Sequence, residues 1–315
     1  MGRNAVTVPL LSSAQMASFV ARGFLRFDGV VPDAINRQFM SEAGEAAEPR
    51  PGQKVITALG ELFARNQLPE IAPGTPLADA YPAGSALARL LDLPLAAGAI
   101  QSLVGEQPVF DHHFLHVTFP PRYYEAADAA NVSQHTHQDS TIDPRWAFDV
   151  QIMYYPHAVT REMGGTRFIP GTHLRKVSEA ALGRYQNLRG QQHMVCEAGT
   201  LLFLHHGIWH GGGVNVSDRT RAMLKIRLHA TRPQVRLWDS SDLAEPEAPR
   251  PLFFVKGPPA RTGVADILCT PEPWFEQDTG RLEFVNRIRL WRRLTGDPTY
   301  DADYWLTRLE TQAAF

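Results

Sequence analysis

Five segments between residues 109 and 230 alternate apolar and polar side chains with a period of two. The segments are VFDHHFLHVTF, FDVQIMYYPH, TRFIP, GTLLFLHHGIWH and RAMLKIRLHA, and they are separated by Gly, Pro, Asn and Asp residues. A period of two is typical of extended strands whose two faces meet different surroundings. Many short strands with turn residues between them predict a mainly β core, either a barrel or a jelly roll.

The two faces of these strands differ sharply in polarity. In the last segment, one face carries Ala222, Leu224, Ile226 and Leu228, and the other carries Arg221, Met223, Lys225, Arg227 and His229. Two arrangements fit this pattern. The apolar faces pack outward on helices and the polar faces line the interior of the roll, or the polar faces meet solvent.

Helical segments precede the predicted strands. Residues 12–44 predict a Ser-capped amphipathic helix, a strand at residues 24–27 and a second helix that begins near Pro32. Residues 49–76 contain five prolines and predict a loop, with at most one short helix at residues 56–65, that could act as a lid. Residues 85–103 have helical spacing that Pro94 interrupts.

Length and composition favour one large domain. The 315 residues, 44% of them hydrophobic, are expected to form a helical N-terminal support (1–108), a β-roll core (109–232) and a C-terminal extension (233–315) with helices at 281–294 and 302–309. A net charge of −2 argues against a nucleic-acid-binding protein, and two cysteines are too few for a disulfide scaffold. We find no signal peptide or membrane-spanning stretch, and we expect a cytoplasmic protein that acts as a monomer or homodimer.

All 12 histidines lie between His112 and His229, so the β core is the expected site of chemistry. Within it, His137 and Asp139 are two residues apart and therefore point to the same side of an extended chain. A later histidine would complete a set of two imidazoles and one carboxylate. Such a set binds Fe(II) and leaves positions open for a co-substrate and O2. The candidates are His205, His206 and His210.

A turn connects His210 to Arg221. The sequence GGGVNVSDR follows His210, and Arg221 opens the next predicted strand, so a hairpin would return it to the neighbourhood of His210. A guanidinium group can grip a carboxylate with two parallel hydrogen bonds. A metal site with one buried arginine nearby is what a dicarboxylate co-substrate requires.

Three ordered motifs carry a family resemblance. They are His137-Gln138-Asp139, GGTRFIPGTH at 164–173 and WHGGGVNVSDRTR at 209–221. Together with the opening MASFVARGFLRFDGVVP, they resemble the phytanoyl-CoA dioxygenase family of Fe(II)/2-oxoglutarate oxygenases, over about residues 16–229. The resemblance implies a double-stranded β-helix, that is, a cupin-like jelly roll with flanking helices.

The resemblance also implies roles for individual residues. Iron would be held by His137, Asp139 and His210, and Arg221 would pair with the distal carboxylate of 2-oxoglutarate. Gln138 and Tyr155 would be neighbours of the co-substrate. The implied reaction consumes O2 and 2-oxoglutarate, releases succinate and CO2, and oxidises a small organic molecule, with hydroxylation as the default. Because a small residue replaces the carboxylate in related halogenases, Asp139 argues against halogenation.

Other polar and aromatic residues are weaker candidates. If the polar face of the first strand points inward, His116 and Thr118 would contact the co-substrate and His112 the substrate; otherwise that face is exposed. Tyr123 and Trp146 flank the His-x-Asp segment and are candidates for the mouth of the site. Arg227, with Lys225, would favour an anionic substrate or would form structural ion pairs.

Two other functions use the same residues. The first is a non-catalytic metal- or ligand-binding jelly roll that acts as a sensor. The second is a zinc hydrolase, for which the sequence offers no obvious general base and no role for Arg221.

Overall fold

The computed structural model describes residues 8–44, 50, 52–139, 149–174, 182, 188–230, 237–242, 288, 291–292 and 295–300. Its helices are α1 (Ser13–Arg22), α2 (Asp33–Ala43), α3 (Val55–Arg65), α4 (Leu77–Ala80), α5 (Ala86–Leu91), α6 (Pro94–Val104) and α7 (Pro121–Ala126). Its strands are β1 (Phe24–Phe27), β2 (Pro108–Thr118), β3 (Val150–Tyr155), β4 (Thr166–Ile169), β5 (Gln192–His193), β6 (Thr200–His205), β7 (Trp209–Gly212) and β8 (Arg221–Ala230).

The strands form a major and a minor antiparallel sheet. The major sheet has the order β1-β6-β3-β8-β2, and the minor sheet has the order β5-β4-β7. In the major sheet, β2 and β8 pair from Thr118↔Arg221 to Pro108↔Ala230, with one irregularity between Phe110 and His112. A bridge between His137 and His210 adds the segment that precedes Asp139 to the free edge of the minor sheet.

The two sheets face each other. Met153, Tyr155 and Met223 of the major sheet pack in one buried cluster with Phe168 of the minor sheet. Along the chain, β2 belongs to the major sheet, the His137 segment to the minor, β3 to the major, β4 and β5 to the minor, β6 to the major, β7 to the minor and β8 to the major. A chain that alternates between two facing sheets in this way is a double-stranded β-helix. The predicted jelly roll is confirmed.

The outer face of the major sheet packs on the N-terminal helices. Ile152 and Leu224 lie on the face predicted to be apolar, and both are fully buried. They belong to one core with Met16 of α1, Phe39 of α2 and Ile100 of α6. Of the two arrangements that the sequence allowed, the structure has the one in which the polar faces of β3 and β8 point into the roll.

The N-terminal elements follow their sequence signals. Ser12 caps α1 through a reciprocal capping box with Gln15, and Gly23 ends this helix in the left-handed conformation. The strand predicted at residues 24–27 is β1, and the short helix predicted in the proline-rich loop is α3. Pro94 occupies the first turn of α6, where its missing N–H costs nothing, and thereby separates α5 from α6.

One predicted strand needs correction, short elements were not predicted, and the predicted C-terminal helices fall largely outside the described residues. The run GTLLFLHHGIWH was predicted as one β segment, but it forms β6 and β7 in different sheets. The two-residue strand β5 and the six-residue helix α7 were not predicted, because both are too short to show a period. Of the predicted C-terminal helices, 302–309 lies outside the described residues, and so does 281–294 except for residues 288, 291 and 292.

Among the helices of the described residues, none combines the length and the apolar character that crossing a bilayer requires.

Candidate metal centre

Backbone pairing at the edge of the minor sheet brings His137 beside His210. The His137 N–H donates to the His210 carbonyl at 2.8 Å, and the His210 N–H donates back to the His137 carbonyl at 2.9 Å. The two imidazole rings lie 4.4 Å apart between centroids. Because residues two apart on an extended chain share a side, the same pairing carries Asp139 to these rings.

The three side chains converge on one point. Asp139 Oδ1 is 3.0 Å from His137 Nε2, and Asp139 Oδ2 is 3.7 Å from His210 Nε2. One ligand atom of each residue lies within 4.8 Å of the others. Of the three histidine candidates that the sequence offered, the structure brings His210 to the His-x-Asp pair.

Hydrogen bonds orient both rings so that Nε2 faces this point. Nδ1 of His137 donates to the His135 carbonyl at 2.8 Å, and Nδ1 of His210 donates to the Ile208 carbonyl at 3.0 Å. A proton held on Nδ1 by a carbonyl leaves the Nε2 lone pair available to a metal. Two imidazole nitrogens and one carboxylate on the same side are the donor set of non-haem Fe(II) oxygenases. The residues present therefore fit Fe(II).

The surroundings keep the carboxylate ionised and one imidazole neutral. Burial alone would raise the pKa of Asp139, but its hydrogen bond to His137 and the nearby His210 and Lys225 outweigh burial and hold that pKa far below its usual range. Burial lowers the pKa of His210 to about 4, although Asp139 opposes this. Burial also favours neutral His137, but hydrogen bonds to Asp139 and the His135 carbonyl prevail and raise its pKa.

Lys225 of β8 also contacts Asp139. Its Nζ donates to Asp139 Oδ2 at 2.9 Å, and the two side chains are only 12% and 10% exposed. The ammonium group thus neutralises a largely buried carboxylate that would otherwise be costly to desolvate.

Arg221 lies in the same cavity as the two histidines and is 3% exposed. Its Nε donates to Thr118 Oγ1 at 3.1 Å, whereas its Nη1 is buried and has no hydrogen-bond partner among the residues that the structure describes. A buried guanidinium donor without an acceptor costs about 1–3 kcal/mol or more, because a charged group loses its hydration. A carboxylate in this cavity would supply the acceptor, so the site also fits 2-oxoglutarate.

The other residues expected beside the co-substrate differ in their position relative to this cavity. His116 lines it, and burial together with Lys225 and Arg221 lowers the pKa of His116 to about 3, so its imidazole is neutral. Tyr155 is fully buried behind the cavity, and its hydroxyl donates to Thr166 Oγ1 at 2.8 Å. Gln138 is half-buried between the first two residues of the triad.

Of the residues predicted to contact the substrate, one is partly exposed, one is buried and one lies outside the described residues. His112 is partly exposed, and its Nδ1 lies 2.8 Å from Asp111 Oδ2. Tyr123 does not line a mouth: it is 3% exposed and stacks on Phe119, with ring centroids 4.8 Å apart. Trp146 lies outside the described residues.

Arg227 directs its donors to protein acceptors. Its Nε donates to Asp149 Oδ2 at 2.8 Å, and its Nη1 donates to the Asp139 carbonyl at 3.1 Å. This side chain therefore ties the end of the triad segment to the start of β3. Asp149 was not predicted as the partner of Arg227, although both residues lie on the predicted polar faces of neighbouring strands.

The two remaining histidine candidates support the backbone. His206 Nδ1 accepts from the Asp149 N–H at 2.8 Å, and His205 Nδ1 accepts from the Gly207 N–H at 3.0 Å. Both residues thus stabilise the connection between β6 and β7, and this connection leads into the strand that carries His210.

Solved structures resemble the chain at low sequence identity. AviO1 from Streptomyces viridochromogenes Tue57 is 14% identical, with a TM-score of 0.48 over 73% of this chain and 100% of that one. HygX from Streptomyces hygroscopicus with nickel, 2-oxoglutarate and hygromycin B bound is 15% identical, with a TM-score of 0.47 over 69% and 86%. The α-ketoglutarate-dependent carbocyclase SnoK from nogalamycin biosynthesis is 16% identical, with a TM-score of 0.47 over 72% and 88%.

No curated protein matches the chain. The sequence model of the phytanoyl-CoA dioxygenase (PhyH) family, by contrast, matches residues 19–223. This match begins within α1 and includes β1 to β7, the start of β8 up to Met223, the three residues of the candidate centre and Arg221. The chain therefore belongs to the phytanoyl-CoA dioxygenase family of Fe(II)- and 2-oxoglutarate-dependent oxygenases.

Proposed function

We propose that this protein hydroxylates a small organic molecule, a secondary metabolite or an anionic metabolite, with release of succinate and CO2. One observation carries the proposal. His137, Asp139 and His210 converge within 4.8 Å, and buried Arg221 lines the cavity of the two histidines with an Nη1 that finds no acceptor in the described part of the chain. A metal site alone would not explain a buried guanidinium that lacks an acceptor.

Each residue has a distinct task in this proposal. Nε2 of His137, a carboxylate oxygen of Asp139 and Nε2 of His210 would hold Fe(II). Arg221 would bind the distal carboxylate of 2-oxoglutarate, and Thr118 would fix the direction of the guanidinium through its hydrogen bond to Nε. Gln138, Tyr155 and His116 would surround the co-substrate. When bound, Fe(II) and 2-oxoglutarate supply the oxidation of the substrate by O2.

Hydroxylation is proposed because the protein keeps its own carboxylate ligand. Asp139 would fill the third protein position on the metal, where related halogenases leave room for a halide. The protein would then contribute orientation and exclusion of water rather than a further reactive group. Burial of His210 and Arg221 supports this role, since both are at most 4% exposed.

An anaerobic titration tests the proposal. Purified protein receives Fe(II) and then 2-oxoglutarate, and the visible absorption is recorded. We expect a weak charge-transfer band, no band in Asp139→Ala, and a band in Arg221→Ala that needs about tenfold or more 2-oxoglutarate, since charge-assisted hydrogen bonds contribute roughly 1.5–3 kcal/mol.

His135→Ala is the matched control. His135 lies next to the triad, but it orients His137 through its backbone carbonyl, which the substitution keeps. This variant should give the band of the unchanged protein. Absence of the band in the unchanged protein contradicts the proposal, and metal binding without any response to 2-oxoglutarate favours the sensor or the zinc hydrolase.

A further inference from the structure

Three exposed apolar side chains lie on α3 and β2. On α3, Ile56 and Phe63 are two turns apart and therefore share one helix face, where they are 72% and 38% exposed. On β2, Phe114 is 52% exposed. The rings of Phe63 and Phe114 lie 6.4 Å apart between centroids, at an angle of 63°. We refer to Ile56, Phe63 and Phe114 as the apolar corner.

Phe114 lies on the face of the major sheet that carries the polar residues of the site. It pairs in register with Lys225, whose Nζ contacts Asp139. Its ring is also 4.7 Å from the ring of His116, which lines the cavity of His137 and His210. The side chain of Lys225 thus connects the position of Phe114 on the sheet to Asp139, one of the proposed metal ligands.

The hydrophobic core does not account for this exposure. The neighbouring Leu115 points to the opposite face of β2 and is buried in the main core. On α3, Ala58 and Leu62 are buried, and Ala58 packs against Phe119 and Tyr123. These contacts anchor α3 beside β2 through one helix face and leave the opposite face, with Ile56 and Phe63, uncovered.

Polar groups with unused hydrogen-bonding capacity adjoin the apolar corner. Among the described residues, the ring nitrogens of His116 have no hydrogen-bond partner, and a neutral imidazole offers one donor and one acceptor. The Lys225 ammonium has three donors, and Asp139 accepts from one of them. A ligand here would thus meet two aromatic rings on one side and polar nitrogens on the other.

We propose that the substrate of the proposed oxygenase carries an apolar ring that packs against Phe63 and Phe114, next to an oxygen that hydrogen-bonds to His116 or Lys225. Two tilted rings offer a ring-shaped ligand one stacked and one edge-on contact, which a linear chain cannot use equally well. The positive charge of Lys225 disfavours a cationic substrate. This inference rests on the proposed function, because it places the ring beside the proposed metal ligands.

A paramagnetic probe tests the inference without turnover. The protein is loaded with Mn(II) and 2-oxoglutarate, and Mn(II) uptake is followed by electron paramagnetic resonance. Benzyl alcohol or 1-heptanol, which have the same number of carbons, is then added, and the relaxation of its protons is measured by NMR. We expect bound Mn(II) to accelerate the relaxation of the benzyl ring protons more strongly than that of the heptyl protons.

Variants of the apolar corner test whether benzyl alcohol binds there. Phe114→Ala should weaken benzyl alcohol binding about tenfold, as expected for the loss of an aromatic contact of ~1.4 kcal/mol. Phe114→Leu keeps an apolar side chain and should remove the preference for the ring over the chain. Val195→Ala is the control, since Val195 is an apolar side chain of similar exposure, 44%, that does not belong to the apolar corner.

The possible results separate the two proposals. If the protein takes up no Mn(II), the proposed function is contradicted, and this inference with it. Two results would overturn only this inference, with Mn(II) taken up normally. In the first, the Phe114→Ala variant accelerates the proton relaxation of benzyl alcohol as strongly as the unchanged protein does. In the second, the protons of 1-heptanol are relaxed as strongly as those of benzyl alcohol.

Discussion

The contacts of Arg221 restrict what its cavity can accept. The guanidinium is held at Nε by Thr118, and no described residue of the roll supplies an acceptor for its Nη1. Since a planar guanidinium binds a carboxylate best when its direction is fixed, Thr118 should act through Arg221 rather than on the co-substrate itself. It is therefore a positioning residue in our proposal.

Thr118→Val should weaken 2-oxoglutarate binding while leaving the metal centre unchanged. The substitution keeps the shape of the side chain and removes one hydrogen bond, so we expect an affinity roughly 3–10-fold lower, for a loss of about 1 kcal/mol. Titration of the Fe(II)-loaded protein with 2-oxoglutarate measures it. Thr75→Val removes a threonine hydroxyl bonded to the Ala72 carbonyl and should have no effect. An unchanged affinity in Thr118→Val would contradict the positioning role.

Lys225→Met should destabilise the metal-free protein more than the metal-loaded protein. Without metal, Lys225 supplies a positive charge to the buried Asp139, and removing one partner of a buried pair costs about 3–5 kcal/mol. A bound metal ion supplies that charge instead. Thermal unfolding with and without Mn(II) measures the difference. Equal loss of melting temperature in both states would show that Lys225 acts through packing alone.

At the residue scale, the spacing of the sequence predicted the pair of His137 and Asp139 but left three histidines as candidates for the third ligand. His137 and Asp139 converge because a period of two is a property of any strand. The hairpin predicted after His210 is wrong, because β7 and β8 lie in different sheets; Arg221 comes near His210 because these two sheets face each other across the cavity. The surroundings of Tyr123 were not predictable. Its burial depends on Phe119 and on Ala58 of α3, a contact that local sequence does not encode.

The elements differ in how clearly local sequence marks their ends. Ser12, Gly23 and Pro94 act within one or two turns, so α1 and α6 begin or end where the sequence indicates. The break between β6 and β7 has no comparable signal, because only His205, His206 and Gly207 separate Leu204 from Ile208, and of these only Gly207 is a typical turn residue. What separates β6 from β7 is that they pair in different sheets.

Two glycine substitutions should have opposite effects on stability. Gly23 has a φ of +77°, and a Cβ there would lie 2.5 Å from His173 Nδ1, so Gly23→Ala combines backbone strain with a steric clash. We expect a loss of about 2 kcal/mol or more, since the left-handed conformation alone costs about 1–2. In Gly60→Ala, a Cβ would meet nothing within 4 Å. This substitution within α3 should stabilise by about 0.5–1 kcal/mol. Chemical denaturation measures both variants. A neutral Gly23→Ala would mean that α1 can end in another conformation.

At the scale of the molecule, alternation predicted strands but not which face points inward. That choice depends on which surface the helices cover. Met16 of α1, Phe39 of α2 and Ile100 of α6 pack on the apolar face, so the polar face lines the roll. The sequence contained both patterns, the amphipathic helices and the two-faced strands, but their docking is a non-local contact. The polar interior that holds the candidate site is therefore a consequence of the whole fold.

Metal binding should stabilise the roll at one edge. The three candidate ligands come from two segments, β7 and the segment of His137 that joins its free edge. Backbone hydrogen bonds connect these segments: His137 pairs with His210, and the Gly212 N–H donates to the Gln134 carbonyl. A metal held by both segments would add a cross-link there. At a metal concentration about 100-fold above the dissociation constant, the gain in unfolding free energy should be about 2.7 kcal/mol.

Hydrogen exchange can show whether the gain in stability lies at this edge. Few backbone hydrogen bonds join the His137 segment to β7, so an added metal cross-link should slow the exchange of their amides. With Mn(II), the amides of His137, His210 and Gly212 should exchange more slowly, whereas those of β1, at the far edge of the major sheet, should change only as global stability does. Asp139→Ala should remove both the local protection and the rise in melting temperature. A site at the edge of the minor sheet should protect the amides of that edge selectively. If, after allowance for the rise in global stability, Mn(II) slowed amide exchange in β1 as strongly as in β7, the ion would be bound elsewhere.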